Sequence, residues 1–126
     1  MTKTVETLPV MIQDVQIVGP WKDGDKEGVW RTIIAQPDGD SGKSHFFIQQ
    51  IETDGNEYKL LSTTEIKEIS NVDGSILGYR ADDPSDVDPN SLMLFFEIVP
   101  AGAQISETYE LRFHPGKPYT FGPSTN

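Results

Sequence analysis

The segment Leu92-Met93-Leu94-Phe95-Phe96-Glu97-Ile98-Val99 carries the clearest structural signal in the chain. Side chains of a β-strand point alternately to the two faces of a sheet. As a strand, this segment places Leu94 and Phe96 on one face and Met93 and Phe95 on the other. Both faces are then apolar, so each needs cover from another part of the protein, from a ligand or from another chain.

Two other segments, 28–36 and 44–53, share this two-faced character. In the second of them, Phe47 and Ile51 lie opposite another pair of apolar residues. If the three strands are neighbours in one sheet, its second face is too apolar to remain in water, because exposed apolar patches above a few hundred Å² usually mark interaction sites. Two-fold self-association is the commonest cover. The alternative is a lid from the same chain, formed by residues 62–70, the amino-terminal residues or long loops.

Turn signals between short apolar segments favour an all-β fold. Four Asp-Gly dipeptides lie at residues 23–24, 38–39, 54–55 and 73–74, and Asp-Gly supplies the positive φ angles that tight hairpins require. The spacing predicts an antiparallel β-sandwich of seven or eight strands, with a closed β-barrel as the alternative. The expected strands are 9–18, 28–36, 44–53, 57–63, 75–81, 91–99, 105–114 and 118–121.

Two segments depart from a simple strand pattern. In the first strand, the apolar residues change parity between Ile12 and Val15, so a bulge near Gln13-Asp14 is expected if they all face one core. Residues 62–70 combine a helix capping-box pattern with residue types that favour strand. A continued strand is the preferred interpretation there, with a short helix as the alternative.

Composition bounds the class of protein. The 126 residues fit a single β domain, 1–126, with flexible termini expected at 1–7 and 122–126. Twenty acidic and ten basic residues give a formal net charge of −10, which disfavours nucleic acid and anionic membranes as partners. The chain has no cysteine, so disulfides and thiolate chemistry are excluded. Without a signal-like segment or a run of about 18 apolar residues, we expect a soluble cytoplasmic protein.

Two groups of residues contain parts of nucleotide-binding or catalytic sites. Residues 37–44 end in Gly-Lys-Ser, as a phosphate-binding loop does, but Pro37 replaces the first glycine, and Asp38 and Asp40 would repel phosphate. Ser44 and His45, with these acidic residues nearby, supply the residue types of a hydrolase triad. Because a triad is defined by mutual geometry, a small hydrolase is the least favoured alternative, and we assign no catalytic residue.

The loop 82–90 is the best candidate for a metal site. Calcium prefers several carboxylate and carbonyl oxygens that converge from a flexible loop, and aspartates gathered at one end of a β-sandwich could supply them. The favoured interpretation is a solvated connection in which Asp and Pro residues form turns. The calcium alternative uses Asp82, Asp83, Asp86 and Asp88.

The sequence therefore predicts a non-enzymatic interaction domain that binds a protein partner or forms a homo-oligomer through an apolar sheet face. Phe47, Ile51, Met93 and Phe95 are the predicted contact residues. Trp21 is a further contact candidate because large aromatic residues dominate binding hot spots, although a tryptophan can equally fold back over the end of a sandwich. No cofactor is predicted apart from the calcium of the alternative.

Overall fold

The computed structural model describes residues 1–37, 43–72 and 74–124. Over these residues the fold is all-β with two short helices. In chain order, the elements are α1 (Thr2–Glu6), β1 (Ile12–Asp23), β2 (Lys26–Ala35), β3 (His45–Asp54), β4 (Glu57–Glu65), α2 (Lys67–Asn71), β5 (Gly74–Ala81), β6 (Leu92–Pro100), β7 (Glu107–Phe113) and β8 (Thr120–Pro123).

The strands form two antiparallel sheets, each made of four consecutive strands. Sheet A has the order β1-β2-β3-β4 and sheet B the order β5-β6-β7-β8. The two sheets pack face to face as a β-sandwich, and the described strands do not close into a barrel. The predicted fold class is therefore confirmed. All eight expected strands occur with shifted ends, the last one running to Pro123, beyond which the Ser124 N–H donates to the Thr108 carbonyl.

Two of the four Asp-Gly dipeptides form the predicted hairpins. Gly24 and Gly55 have φ angles of 65° and 61°, and they lie in the tight turns that join β1 to β2 and β3 to β4. The fourth dipeptide is only partly described, because Asp73 lies outside the described residues. Gly74 begins β5, and the element before it is α2 and not a strand, so this turn signal does not join two strands in a tight hairpin. The dipeptide at 38–39 lies outside the described residues.

Inner-face side chains of both sheets form one hydrophobic core. Phe46 of β3 lies edge-on to Phe96 of β6 and to Tyr79 of β5, with ring centroids 5.0 and 5.2 Å apart. Edge-to-face contacts of this kind stabilise aromatic pairs beyond the burial of their area. The other buried members of the cluster are Trp21, Trp30, Ile48, Ile66, Ile69, Leu92, Leu94, Ile98, Leu111 and Phe113.

The segment after β4 closes one end of the sandwich. β4 continues to Glu65, and α2 then brings Ile66 and Ile69 into the core. The preferred interpretation of a continued strand is correct only as far as Glu65, after which the chain is helical. The capping-box prediction is wrong, because Ser62 pairs with Gln50 in the sheet and Ile66 occupies the N-cap without a side-chain hydrogen bond.

Trp21 lies at the other end of β3 and is only 2% exposed. Its indole Nε1–H donates to the carbonyl oxygens of Val29 and Ile51, at 3.1 Å in both cases. Gly28 is required at this crowded point, because a Cβ there would lie 1.9 Å from the Ile51 oxygen. The prediction of Trp21 as a partner contact is therefore corrected, since the indole folds back into the sandwich and satisfies its donor internally.

Tyr79 connects the two sheets through polar contacts at the edge of the core. Its hydroxyl donates to Asp14 Oδ2 at 2.9 Å and lies 2.7 Å from the Thr32 hydroxyl. Burial raises the pKa of Tyr79 well above its ordinary value; the Thr32 hydrogen bond opposes this effect, and the Asp14 carboxylate reinforces it. The neutral phenol is therefore the form that the folded state favours.

We expect Trp21→Phe to destabilise the protein by about 1–2 kcal/mol more than Trp30→Phe, because the first loses two hydrogen bonds and the second loses none. The Trp30 Nε1–H is buried without a hydrogen-bond partner in the described part of the chain, and both substitutions remove a similar apolar area. Urea unfolding of the two variants and the wild type measures the difference. Equal losses would contradict the assigned role of the Trp21 indole.

We expect the free energy of unfolding to fall as the pH rises above about 10, the ordinary tyrosine pKa. The raised folded-state pKa means that the unfolded chain loses its Tyr79 proton first, so this contribution is complete below pH 10 and is lost above it. Tyr79→Phe should be less stable at neutral pH but lose less stability between about pH 9 and about pH 11. Urea midpoints at the two pH values test this, and equal decreases in both proteins would contradict it.

Candidate functional site

The three two-faced strands do not lie in one sheet. β2 and β3 are neighbours in sheet A, whereas β6 lies in sheet B. Phe47 and Ile51 are thus on the outer face of sheet A, and Met93 and Phe95 are on the outer face of sheet B, on the other side of the molecule. A single contact face that contains all four residues is therefore a wrong prediction. The alternation along each strand indicated correctly which residues share a face, but it does not show which strands pair.

The outer face of sheet B is largely polar. The Arg80 guanidinium lies over the Phe95 ring, 4.5 Å from its centroid, so a cation–π contact from the neighbouring strand covers this side chain. Glu110 is the cross-strand partner of Phe95 on the other side, and Arg112 is the partner of Met93. Phe95 is consequently half-buried within its own sheet.

The outer face of sheet A is largely apolar. The predicted bulge occurs, because the pairing of β1 with β2 shifts between Ile12 and Asp14. It turns Ile12, Val15 and Ile17 to the same side, as expected, but this side is the outer face of the sheet and not the core. Cross-strand partners share a face, so the register defines the apolar outer face by Val15, Ile17, Val29, Ile33, Phe47, Ile51, Tyr58 and Leu60.

Several side chains of the apolar outer face are open to solvent. Val15, Ile17, Leu60 and Tyr58 are exposed by 44, 60, 52 and 80%. Ile51 is buried by its neighbours in the sheet although it lies on this side, so it is corrected from a contact residue to a support for the residues around it. The exposed side chains belong to edge strands β1 and β4. The sequence did not indicate them, because alternation within a strand does not show which of its faces meets the core.

One polar row crosses the apolar outer face. Arg31 Nε donates to Gln49 Oε1 at 2.6 Å, and Gln49 Nε2 donates to Thr63 Oγ1 at 3.1 Å. Within the described residues Arg31 has no carboxylate partner. The face therefore combines apolar side chains with the Arg31 guanidinium, which can donate to an acidic group from outside.

The loop between β5 and β6 closes the Trp21 end of the sandwich. The Lys22 N–H donates to the Pro89 carbonyl, Gln50 donates to Asn90, and His114 Nε2 lies 3.3 Å from Asp88 Oδ1. These contacts support the interpretation of residues 82–90 as a structural connection.

Three of the four predicted calcium ligands, Asp82, Asp83 and Asp88, line one cavity, and Asp86 does not. Asp82 Oδ1 accepts the Asp83 N–H, Asp88 faces His114, and Asp86 is exposed. Among residues 1–37, 43–72 and 74–124, no three His, Cys, Asp or Glu side chains are placed to share a metal ion. The calcium alternative stays a prediction, without a geometric arrangement to favour it.

The predicted hydrolase residues are only partly described. His45 Nδ1 lies 2.9 Å from Glu65 Oε2 of the neighbouring strand, a partner that the sequence did not indicate because the two residues are far apart along the chain. Asp38 and Asp40 lie outside the described residues. Ser44 immediately precedes β3. The hydrolase alternative therefore gains no support.

Comparison of the chain with protein-family models, with curated proteins and with solved structures found no match. Within the described residues, neither α1 nor α2 is long and apolar enough to cross a membrane. The apolar outer face of sheet A is therefore the candidate functional site on structural grounds alone.

The calcium alternative predicts that millimolar CaCl₂ raises the Tm of the wild type, because a ligand that binds only the folded state stabilises it by mass action. The matched control is MgCl₂ at the same ionic strength, and the double variant Asp86→Asn/Asp88→Asn should not respond. Differential scanning fluorimetry measures all three. An unchanged wild-type Tm would remove the alternative.

Proposed function

We propose that this domain is a non-enzymatic protein-interaction module whose partner is a second copy of the same chain, bound through the apolar outer face of sheet A. The observation that carries the proposal is that all four strands of one sheet contribute large apolar side chains to this face, on both sides of the polar row. Four of its large side chains are exposed by 44–80%. Transfer of such a surface from water to a protein contact is favourable by roughly 25 cal/mol per Å².

The size of the face agrees with that of a stable interface. Four strands at a spacing of about 4.8 Å, with about eight residues of about 3.4 Å rise, cover roughly 19 by 27 Å. The projected area is on the order of 500 Å², and side-chain relief increases the accessible area toward the ~800 Å² that each partner buries in a standard interface. Hence the whole face, rather than a few side chains, fits the contact.

The charges on the face also support self-association. Arg31 lies among apolar residues, and burying its guanidinium without an acidic partner is unfavourable. Glu27 lies further along the same strand and on the same face. In a two-fold contact each copy presents the same surface. If the two faces are shifted along the strand direction, Glu27 of each copy can pair with Arg31 of the other copy. A neutral pair of this kind does not add to the repulsion between chains of charge −10.

We expect Leu60→Asp to weaken self-association by about tenfold or more, because a carboxylate would be buried in the apolar contact. The matched control is Leu77→Asp, since Leu77 is 67% exposed on the edge strand of sheet B and Leu60 is 52% exposed on the edge strand of sheet A. Both variants change the net charge equally. Sedimentation velocity from micromolar to millimolar concentration measures the association of each.

The comparison separates the possible results. A wild type that remains a 14.0 kDa monomer at the highest concentration contradicts self-association. Equal weakening by both substitutions would indicate a charge effect in place of an interface on sheet A. Circular dichroism of each variant verifies that the sheets are intact.

A further inference from the structure

The end of sheet B at which β6 begins carries a cavity of about 640 Å³. Its walls include the loop between β5 and β6 and the turn between β7 and β8. Binding sites for small molecules commonly have volumes of roughly 300–1,000 Å³, so a small ligand fits. The residues that line this cavity and those that define the apolar outer face of sheet A do not overlap, so the cavity is separate from the proposed self-association surface.

A row of side chains with opposite charges crosses the cavity. The Asp82 N–H donates to the Met93 carbonyl, which continues the pairing of β5 with β6 by one residue. Arg112 is the partner of Met93 on the other side. Cross-strand partners share a face, and all three residues line the cavity. Two strand spacings of about 4.8 Å therefore separate the backbone of Asp82 from that of Arg112 by roughly 10 Å, with Met93 between them.

Most charges of the cavity have no ionic partner. Asp83 follows Asp82 in the loop, and Lys117 lies in the turn after β7. Among the ion pairs of the described residues, none includes Asp82, Asp83 or Lys117. Arg112 reaches only Glu110, at 3.7 Å, and its side chain is 67% exposed, so most of its five N–H donors are open to a ligand.

The third aspartate of the cavity has a different role. Asp88 Oδ1 lies 3.3 Å from His114 Nε2, and the Asp88 carbonyl accepts the Ser91 hydroxyl. These contacts join the loop to the end of β7. Asp88 and His114 therefore hold the two walls together, and the carboxylates left for a ligand lie on the β5 side.

The two signs of charge select the class of ligand. A lone cation would be attracted by Asp82 but repelled by Arg112 and Lys117, and a lone anion would meet the reverse arrangement in a protein of net charge −10. A zwitterion, which carries an ammonium and a carboxylate group, is attracted at both ends. Charge-assisted hydrogen bonds of both kinds are stronger than neutral ones, so a small zwitterion fits the cavity better than a simple ion.

The surface between the charges is apolar. Half-buried Met93 lies between Asp82 and Arg112, and Pro84 and Pro118 also line the cavity. The methionine side chain is flexible and polarizable, so it adapts to apolar groups of different shape. The ligand is therefore expected to carry an apolar group as well as its two charges.

We propose that this cavity binds a free α-amino acid with an apolar side chain. Its ammonium group pairs with Asp82 and Asp83, its carboxylate pairs with Arg112 and Lys117, and its side chain packs on Met93. The domain then has a small-molecule site on sheet B in addition to the interaction face on sheet A.

Titration with L-leucine tests the proposal. The chain has three methionines, and isotope-labelled methionine methyl groups report on them separately by NMR. The Met93 signal should shift saturably with a Kd on the order of 1 mM, as expected for a ligand of this size. Met1 and Met11 do not line the cavity, and their signals serve as internal controls. The absence of a saturable Met93 shift would overturn the proposal.

Two analogues of the ligand test the need for both charges. N-acetyl-L-leucine lacks the ammonium group, and L-leucinamide lacks the carboxylate. Each should bind about tenfold or more weakly than L-leucine, because one set of charge-assisted hydrogen bonds is lost. Equal binding of either analogue would contradict a zwitterion site. A saturable Met93 shift with CaCl₂ but not with L-leucine would assign the cavity to the cation instead.

Substitution of the carboxylates locates the ammonium group. Asp82→Asn/Asp83→Asn should weaken L-leucine binding about tenfold or more and should abolish the preference over N-acetyl-L-leucine. Asparagine keeps the oxygen that accepts the Asp83 N–H, so the loop contact is preserved. The control Asp25→Asn/Asp54→Asn removes the same charge outside the cavity and should leave the affinity within about twofold of the wild type. Equal weakening by both double variants would indicate a general charge effect and overturn the assignment.

The cationic side gives the reciprocal result. Arg112→Gln/Lys117→Gln should abolish the preference for L-leucine over L-leucinamide, and an unchanged preference would contradict the assigned carboxylate contacts. Leu60→Asp, which tests the interface on sheet A, should bind L-leucine with the affinity of the wild type. Self-association and ligand binding can therefore fail independently, and the two measurements distinguish the failures.

Discussion

Contact between the two sheets through Phe46, Phe96 and Tyr79 is the interaction on which the remaining structure depends. Each described strand pairs only with strands of its own sheet, so side-chain packing, assisted by the Tyr79 hydroxyl, holds the sandwich together. This packing selects the inner face of each sheet. Because side chains alternate, the choice of Phe46 for the core necessarily sends Phe47 outward. The apolar outer face of sheet A is therefore a direct result of how the core is filled.

The two outer faces show how a similar strand pattern can have different consequences. Phe47 and Phe95 each lie between two core residues of their own strand, so each points to the outer face of its sheet. Phe95 has Arg80 and Glu110 as its cross-strand partners, whereas Phe47 has Ile33 and Glu65. A polar partner covers the ring in one case, and in the other the apolar area continues into the next strand. Whether an outward side chain is exposed to a partner thus depends on its cross-strand neighbours, which the sequence of a single strand does not show.

Local signals predicted much of the fold but only part of the site. Gly24 and Gly55 indicated hairpins correctly, because their backbone geometry is set by neighbouring residues, and the parity change between Ile12 and Val15 indicated the bulge. Sheet membership is a long-range property, so alternation could not show that β6 lies apart from β2 and β3. The same limit explains why the sequence could not show whether Ile17 faces the core or solvent.

The meander order of each sheet has a consequence for folding. Sheet A is formed by residues 12–65 and sheet B by residues 74–123, with α2 between them. Hairpins of neighbouring strands close short loops, so each half can organise locally before the two halves meet. Until they meet, sheet A presents apolar side chains on both surfaces. A chain that folds in this order exposes both apolar faces of sheet A until the halves dock, and exposed surface of this kind favours aggregation.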